Sequence, residues 1–171
     1  MYELYYDPSI EGYDTNFWKT LSGTPTETSG NLVFNAAEAV SLKDISGGYH
    51  IFKMNVPAVD SSTDKVIGLY LPNAGFKATM EIQGNDLFFR TEGKKGAQET
   101  KIVWDTNLEG AMNDYEINLS SIEPALKING KVKAIHSENI PKGPLSWYVK
   151  NNNSNDLKVA YLEVRNAENI S

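Results

Sequence analysis

Turn residues interrupt this chain at short, regular intervals, and that spacing limits what it can fold into. Eleven short runs rich in Val, Ile, Tyr, Phe and Thr lie between the turns, at 31–35, 49–56, 66–71, 76–82, 86–91, 100–104, 115–119, 125–128, 131–136, 145–150 and 157–165. Most alternate apolar with polar residues, and none extends into an amphipathic helix of three turns. Short alternating strands at such spacing predict an all-β sandwich or barrel. Two hairpins are legible: Asn129-Gly130 suits a two-residue turn that needs positive φ at both central positions, and Gly84-Asn85 joins a second pair of alternating runs. Asn35-Ala36-Ala37-Glu38 has the form of a capping box, but the run behind it meets Gly47-Gly48 soon after, so it reads as a strand or a single helical turn. A second short turn is expected at 108–113.

The chain has 171 residues and a mass of 19.0 kDa, with no linker or internal repeat, so one domain spanning 1–171 is expected. Hydrophobic residues make up 40%, enough for an ordered core. Sixteen basic against 22 acidic residues leave a net charge of −6, which argues against a nucleic-acid partner, because polyanion binding draws on a basic face. The absence of cysteine excludes disulfides, zinc–thiolate sites and cysteine nucleophiles. No apolar run is long enough for a membrane helix, so no membrane insertion is expected, and Met1-Tyr2-Glu3-Leu4 lacks a signal-peptide pattern.

Alternation assigns faces. Phe76, Ala78, Met80 and Ile82 share one side of their strand, with Lys77, Thr79 and Glu81 on the other. Leu87 and Phe89 oppose Phe88 and Arg90; Ile67, Leu69 and Leu71 oppose Tyr70; Trp147 and Val149 oppose Tyr148. The first set of each pair is core. The second mixes rings with charged and hydrogen-bonding groups, as a sugar site requires: a pyranose stacks its C–H face on an aromatic ring while its hydroxyls need directional partners. Ordinary cross-strand packing of the same rings is the plainer alternative. Of the three tryptophans, Trp104, at a strand end before a polar loop, is the one expected to stack on a ligand.

The C-terminal third carries a family pattern. Asp114-Tyr115-Glu116-Ile117, the hairpin Leu126-Lys127-Ile128-Asn129-Gly130-Lys131-Val132, the connection Ile140-Pro141-Lys142-Gly143-Pro144-Leu145 and the closing Val159-Ala160-Tyr161-Leu162-Glu163-Val164 together resemble concanavalin A-like jelly rolls. Upstream, Gly48-Tyr49-His50-Ile51-Phe52-Lys53-Met54 is similar to another strand of that superfamily. The resemblance implies an antiparallel β-sandwich of two curved sheets whose concave face holds a glycan in the carbohydrate-active members. The enzymes most similar in pattern are family 16 glycoside hydrolases, whose catalytic strand carries three carboxylates in E-x-D-x-(x)-E order. Lys77 and Thr79 stand at the nucleophile and helper positions here, and Glu81 alone matches the acid/base. Retaining hydrolysis needs two carboxyl groups about 5 Å apart. On this reading the strand lacks the activity and keeps a cleft.

Other chemistries find little support. His50 and His136 are far apart in sequence and lack a carboxylate cluster at ligand spacing. No G-x-S-x-G elbow, Walker loop or dinucleotide fingerprint occurs. No metal site or cofactor is expected. The oxygen-rich stretches 105–107 with Asp114 and 151–156 would suit a structural calcium, but they lack EF-hand spacing and such loops are ordinarily turns. Three N-x-S/T sequons, at Asn118, Asn152 and Asn169, are short enough to arise by chance.

The sequence thus predicts a non-catalytic, lectin-like carbohydrate-binding domain with a polysaccharide or oligosaccharide partner. Its ligand residues would be Tyr70, Lys77, Thr79, Glu81, Phe88, Arg90, Trp104 and Tyr148, with no catalytic residue. The compartment is left open, an extracellular or cell-surface setting being the expected one, and both a small intact protein and one part of a larger multidomain protein fit the sequence. Two alternatives remain: a structural or adhesion module of a cell-surface, virion or fibre protein, and a polysaccharide hydrolase or lyase. A β-eliminating lyase would need a set such as Tyr148, His136 and Arg90 to converge.

Overall fold

In a computed structural model that describes residues 1–120 and 123–171, the alternating runs become two large antiparallel sheets packed face to face. The strands in chain order are β1 (Tyr2–Tyr6), β2 (Trp18–Ser22), β3 (Thr26–Thr28), β4 (Asn31–Phe34), β5 (Ala37–Ser41), β6 (Ile45–Ser46), β7 (Tyr49–Asn55), β8 (Asp64–Leu71) and β9 (Phe76–Gln83). They continue with β10 (Asp86–Gly93), β11 (Gly96–Val103), β12 (Met112–Asn118), β13 (Ala125–Ile128), β14 (Lys131–Ile135), β15 (Ser146–Asn151), β16 (Leu157–Ala167) and β17 (Asn169–Ile170). One sheet runs β14-β13-β12-β7-β16-β4-β3, with β1 added along β16; the other runs β11-β10-β9-β8-β15-β5-β2. β6 and β17 form a small separate pair.

The alternation sets which residues meet between the sheets. Ile67 and Leu69 of β8, Ala78, Met80 and Ile82 of β9, Leu87 and Phe89 of β10, and Trp147 and Val149 of β15 project inward. They pack against Phe52 and Met54 of β7, Tyr115 and Ile117 of β12, and Leu162 and Val164 of β16, all essentially inaccessible to water. Both expected hairpins form: Gln83 pairs with Asp86 across Gly84-Asn85, and Ile128 pairs with Lys131 across Asn129-Gly130, where φ is 49° and 79°.

Tertiary structure decides the local alternatives. Of the two readings of the capping-box run, the strand is the one that forms: the run enters β5, where pairing with both β15 and β2 outweighs a single helical turn. The turn expected at 108–113 is a 3₁₀ turn at Thr106–Leu108, with the Asp105 side chain accepting from the Asn107 N–H. A short helix, Pro8–Glu11, opens with Asp7 as its N-cap and was not expected.

Candidate functional site

Seven of the eight sequence-predicted site residues stand on the outward face of the seven-stranded sheet, and register fixes their neighbours. Lys77 lies between Tyr70 and Glu92, Thr79 between Gly68 and Arg90, and Glu81 between Val66 and Phe88. Tyr148 sits opposite Gly68 on β15, and Glu99 sits opposite Arg90 on β11. Trp104 does not join them. It is 4% exposed in the core, and its indole N–H donates to Glu109 Oε1 at 3.0 Å. A strand end before a polar loop is therefore occupied by a packing residue.

Glu81 is the centre of the face. It is 5% exposed and has a partner on each side. Arg90 Nη1 donates to Oε1 at 2.8 Å, and Lys77 Nζ and the Thr79 hydroxyl reach Oε2 at 3.2 and 2.9 Å. Burial, the largest single influence, pushes its carboxyl up. The Lys77 charge, the Thr79 hydrogen bond and Arg90 together outweigh it and hold the group below the ordinary carboxylate value. Glu81 is thus ionised at neutral pH.

Arg90 has a second partner, which the sequence reading missed. Its Nε donates to Glu99 Oε2 at 2.5 Å, so one guanidinium bridges two carboxylates drawn from β9 and β11. Glu99 is about half exposed, whereas Glu81 is buried. A hollow of about 380 Å³ opens beside them, lined in part by Lys77, Arg90, Glu92 and Glu99.

The aromatic residues divide. Tyr70 and Tyr148 meet edge to face at 5.0 Å between centroids, but Tyr148 is only 6% exposed. Its hydroxyl donates to Glu38, and burial with that bond pushes its pKa up, so it stays protonated. Phe88 carries the Arg90 guanidinium over its ring at 4.5 Å, while Tyr70 and Phe88 keep partial exposure. His136, which a β-eliminating set would need on this face, lies on the opposite side of the sheet. It is buried against Phe89 and hydrogen-bonded to Thr91 and Thr100 at 2.7 and 2.9 Å. His50 is also buried in the core. Among the described residues no group of three or more His, Cys, Asp or Glu is placed to hold a metal ion.

Two antiparallel sheets with this strand order define a concanavalin A-like jelly roll, the fold also adopted by β-glucanases of glycoside hydrolase family 16. No protein-family model matches the sequence, and no curated protein matches it. Solved structures do match. A Bacillus licheniformis β-glucanase superposes with a TM-score of 0.77 at 13% identity, over 95% of this chain and 97% of that one. The catalytic domain of an endo-1,3-β-glucanase (laminarinase) from Thermotoga petrophila gives 0.74 at 11%, over 99% and 98%. A Crh5 transglycosylase in complex with NAG gives 0.72 at 13%, over 95% and 84%. At these identities the likeness establishes the fold. The structures named above are those of enzymes, and that finding overturns the expectation of a non-catalytic, lectin-like domain, which had been drawn from the fold together with the single carboxylate on β9.

Proposed function

We propose that this chain is an enzyme acting on polysaccharide, a glycoside hydrolase or transglycosylase, with Glu81 and Glu99 as its working carboxyl groups. The observation that carries this reading is the Arg90 bridge, which brings a second carboxylate to the one on β9. A pair of carboxyl groups is the minimum for glycosidic cleavage, one to donate a proton to the leaving oxygen and one to accept a proton or stabilise the cationic sugar. Lys77 and Thr79 occupy the places where a retaining enzyme of this fold would carry its other carboxylates, so the pair is drawn from two strands instead of one.

The roles follow from environment. Glu81 is buried and held ionised, which suits a base or an electrostatic stabiliser and disqualifies it as the acid. It takes the proton from the water, or from the sugar hydroxyl in a transfer reaction, that attacks the anomeric carbon. Glu99, at the rim and open to solvent, takes up a proton there and passes it to the departing oxygen as the C–O bond breaks. Exchange with solvent then restores both groups. Arg90 orients both carboxyl groups, and Lys77 and Thr79 fix the rotamer of Glu81. Tyr70 and Phe88 offer ring surface for stacking, and Tyr148 braces Tyr70 from below.

The test is reducing-end release and product sizing with the purified chain on a panel of neutral and acidic polysaccharides. E81Q and E99Q should each lower the rate by roughly 100-fold or more, the scale of a lost acid or base. Inactivity on the whole panel, or unchanged rates in both variants, would overturn the reading.

A further inference from the structure

A second hollow, of about 740 Å³, lies beyond the end of this face, between the β10–β11 turn and the loop at 137–142. Its lining combines Phe76 and Ile140 with three lysines, Lys94, Lys95 and Lys142, against one carboxylate, Glu138. Ion pairs within 4.0 Å engage Lys53, Lys77, Lys101, Lys127 and Lys150 elsewhere, but none of these three lysines among the described residues. Three unpaired ammonium groups around one cavity, in a chain of net charge −6, run against the charge balance of the molecule.

The walls are held together. Gly93 is buried, and a Cβ built on it would stand 2.4 Å from the Ile140 carbonyl oxygen, so the 137–142 loop docks directly on the turn. The Glu138 N–H donates to Gln98 Oε1 at 3.3 Å, tying the same loop to β11. The hollow lies at the end of the sheet and not on the face of the proposed reaction site: Phe76 projects from the core side of β9, opposite to Lys77, and Lys94 follows Arg90 by four residues, roughly 13 Å at strand rise.

We infer that this hollow is an anionic-sugar subsite, taking a carboxylate- or sulfate-bearing unit of a polysaccharide substrate. The inference rests, for the word substrate, on the cleavage proposed above. Lys94, Lys95 and Lys142 neutralise the anion, and Phe76 and Ile140 face the C–H surface of the sugar ring. Because the lysines are exposed, their contribution is additive and salt-sensitive.

The experiment is affinity electrophoresis of E81Q, chosen to bind without cutting, in gels containing polygalacturonate, a sulfated galactan or a neutral β-glucan. Retardation by a polyanion and not by the neutral polymer is expected. Retardation by only one of the two polyanions identifies carboxylate or sulfate as the anion. Adding K94Q/K95Q/K142Q should weaken binding about tenfold, the scale of three exposed charge contacts, and salt near 0.5 M should abolish the difference. Arginine at the three positions should retain binding, and K131Q/K158Q, which removes two exposed lysines elsewhere, should leave it unchanged. Equal retardation by neutral and charged polymers, or a triple variant that still folds and binds as before, would overturn the subsite. The two proposals fail separately. Lysine-dependent binding of a polyanion that the parent chain never cuts sinks the cleavage reading and keeps the subsite. Cleavage of neutral glucan without polyanion binding does the reverse.

Discussion

At Asn151 every hydrogen-bonding position of the side chain is used. Its Oδ1 accepts from Lys65 Nζ at 2.7 Å and from the Asn153 N–H at 3.2 Å, and its Nδ2 donates to the carbonyls of Phe34 and Asn155 at 2.7 and 2.6 Å. The residue is 1% exposed, so its loss takes the shorter of two partners from the Lys65 ammonium, which keeps Asn153 Oδ1 at 3.2 Å, and removes the amide donor from two carbonyls. N151A is expected to destabilise the protein by about 2–4 kcal/mol, measured as a shift in the urea midpoint. A change under 1 kcal/mol would mean that water replaces the amide. The contrast between Glu81 and Glu99 shows how far single residues were legible. Glu81 stands out because alternation places it beside Lys77 and Thr79 on one strand. Glu99 depends on a cross-strand register, although the signal was available: counting back from the Lys94-Lys95 tip sets Gly93 against Gly96 and so Arg90 against Glu99. Trp104 misled because exposure depends on how a strand end packs, which local polarity does not report.

The geometry of β9 depends on the strand beside it. Gly68, in the middle of β8, has φ of 152°, and a Cβ there would stand 2.5 Å from the Ala78 carbonyl oxygen and 2.8 Å from the Thr79 Cα. The absence of a side chain lets β9 lie close enough to pair Gly68 with Thr79, and so sets where Thr79 and Glu81 emerge. G68A is expected to cost about 1–3 kcal/mol in stability, and to lower polysaccharide turnover by more than the folded fraction accounts for. Turnover that falls only in step with unfolding would show that β9 keeps its place. Strands such as β8, β9, β10 and β15 were legible because each has one apolar face against the opposite sheet. The short strands β1, β2, β3, β6 and β17 were not. β2 and β3 are exposed along nearly all their length, and β6 and β17 are two residues each, so no period-two pattern marks them.

Across the whole molecule, the two sheets are joined by polar contacts set within the apolar core. Trp147, on the seven-stranded sheet, donates its indole N–H to His50 Nδ1 at 3.0 Å, and His50 belongs to β7 of the other sheet. His50 Nε2 lies 2.7 Å from the Gly47 carbonyl, to which it donates, so the two contacts fix a neutral imidazole with its proton on Nε2. Burial pushes its pKa down to about 4 from 6.5. The unfolded chain therefore binds the proton more readily than the folded one between these values. Stability from the neutral imidazole is fully present above pH 6.5 and falls as pH drops toward 4, by on the order of 3 kcal/mol for a group buried this completely. His136, also depressed by burial, and Glu81, held low by its cations, add losses on the acid side, so the His50 contribution must be read as a difference. Urea midpoints at pH 7 and pH 5, followed by tryptophan fluorescence, should fall in the parent chain. In H50Q the midpoint should be lower at pH 7 and should change less between the two values. Equal pH slopes in the two proteins would show that protonation of His50 does not loosen the contact between the sheets.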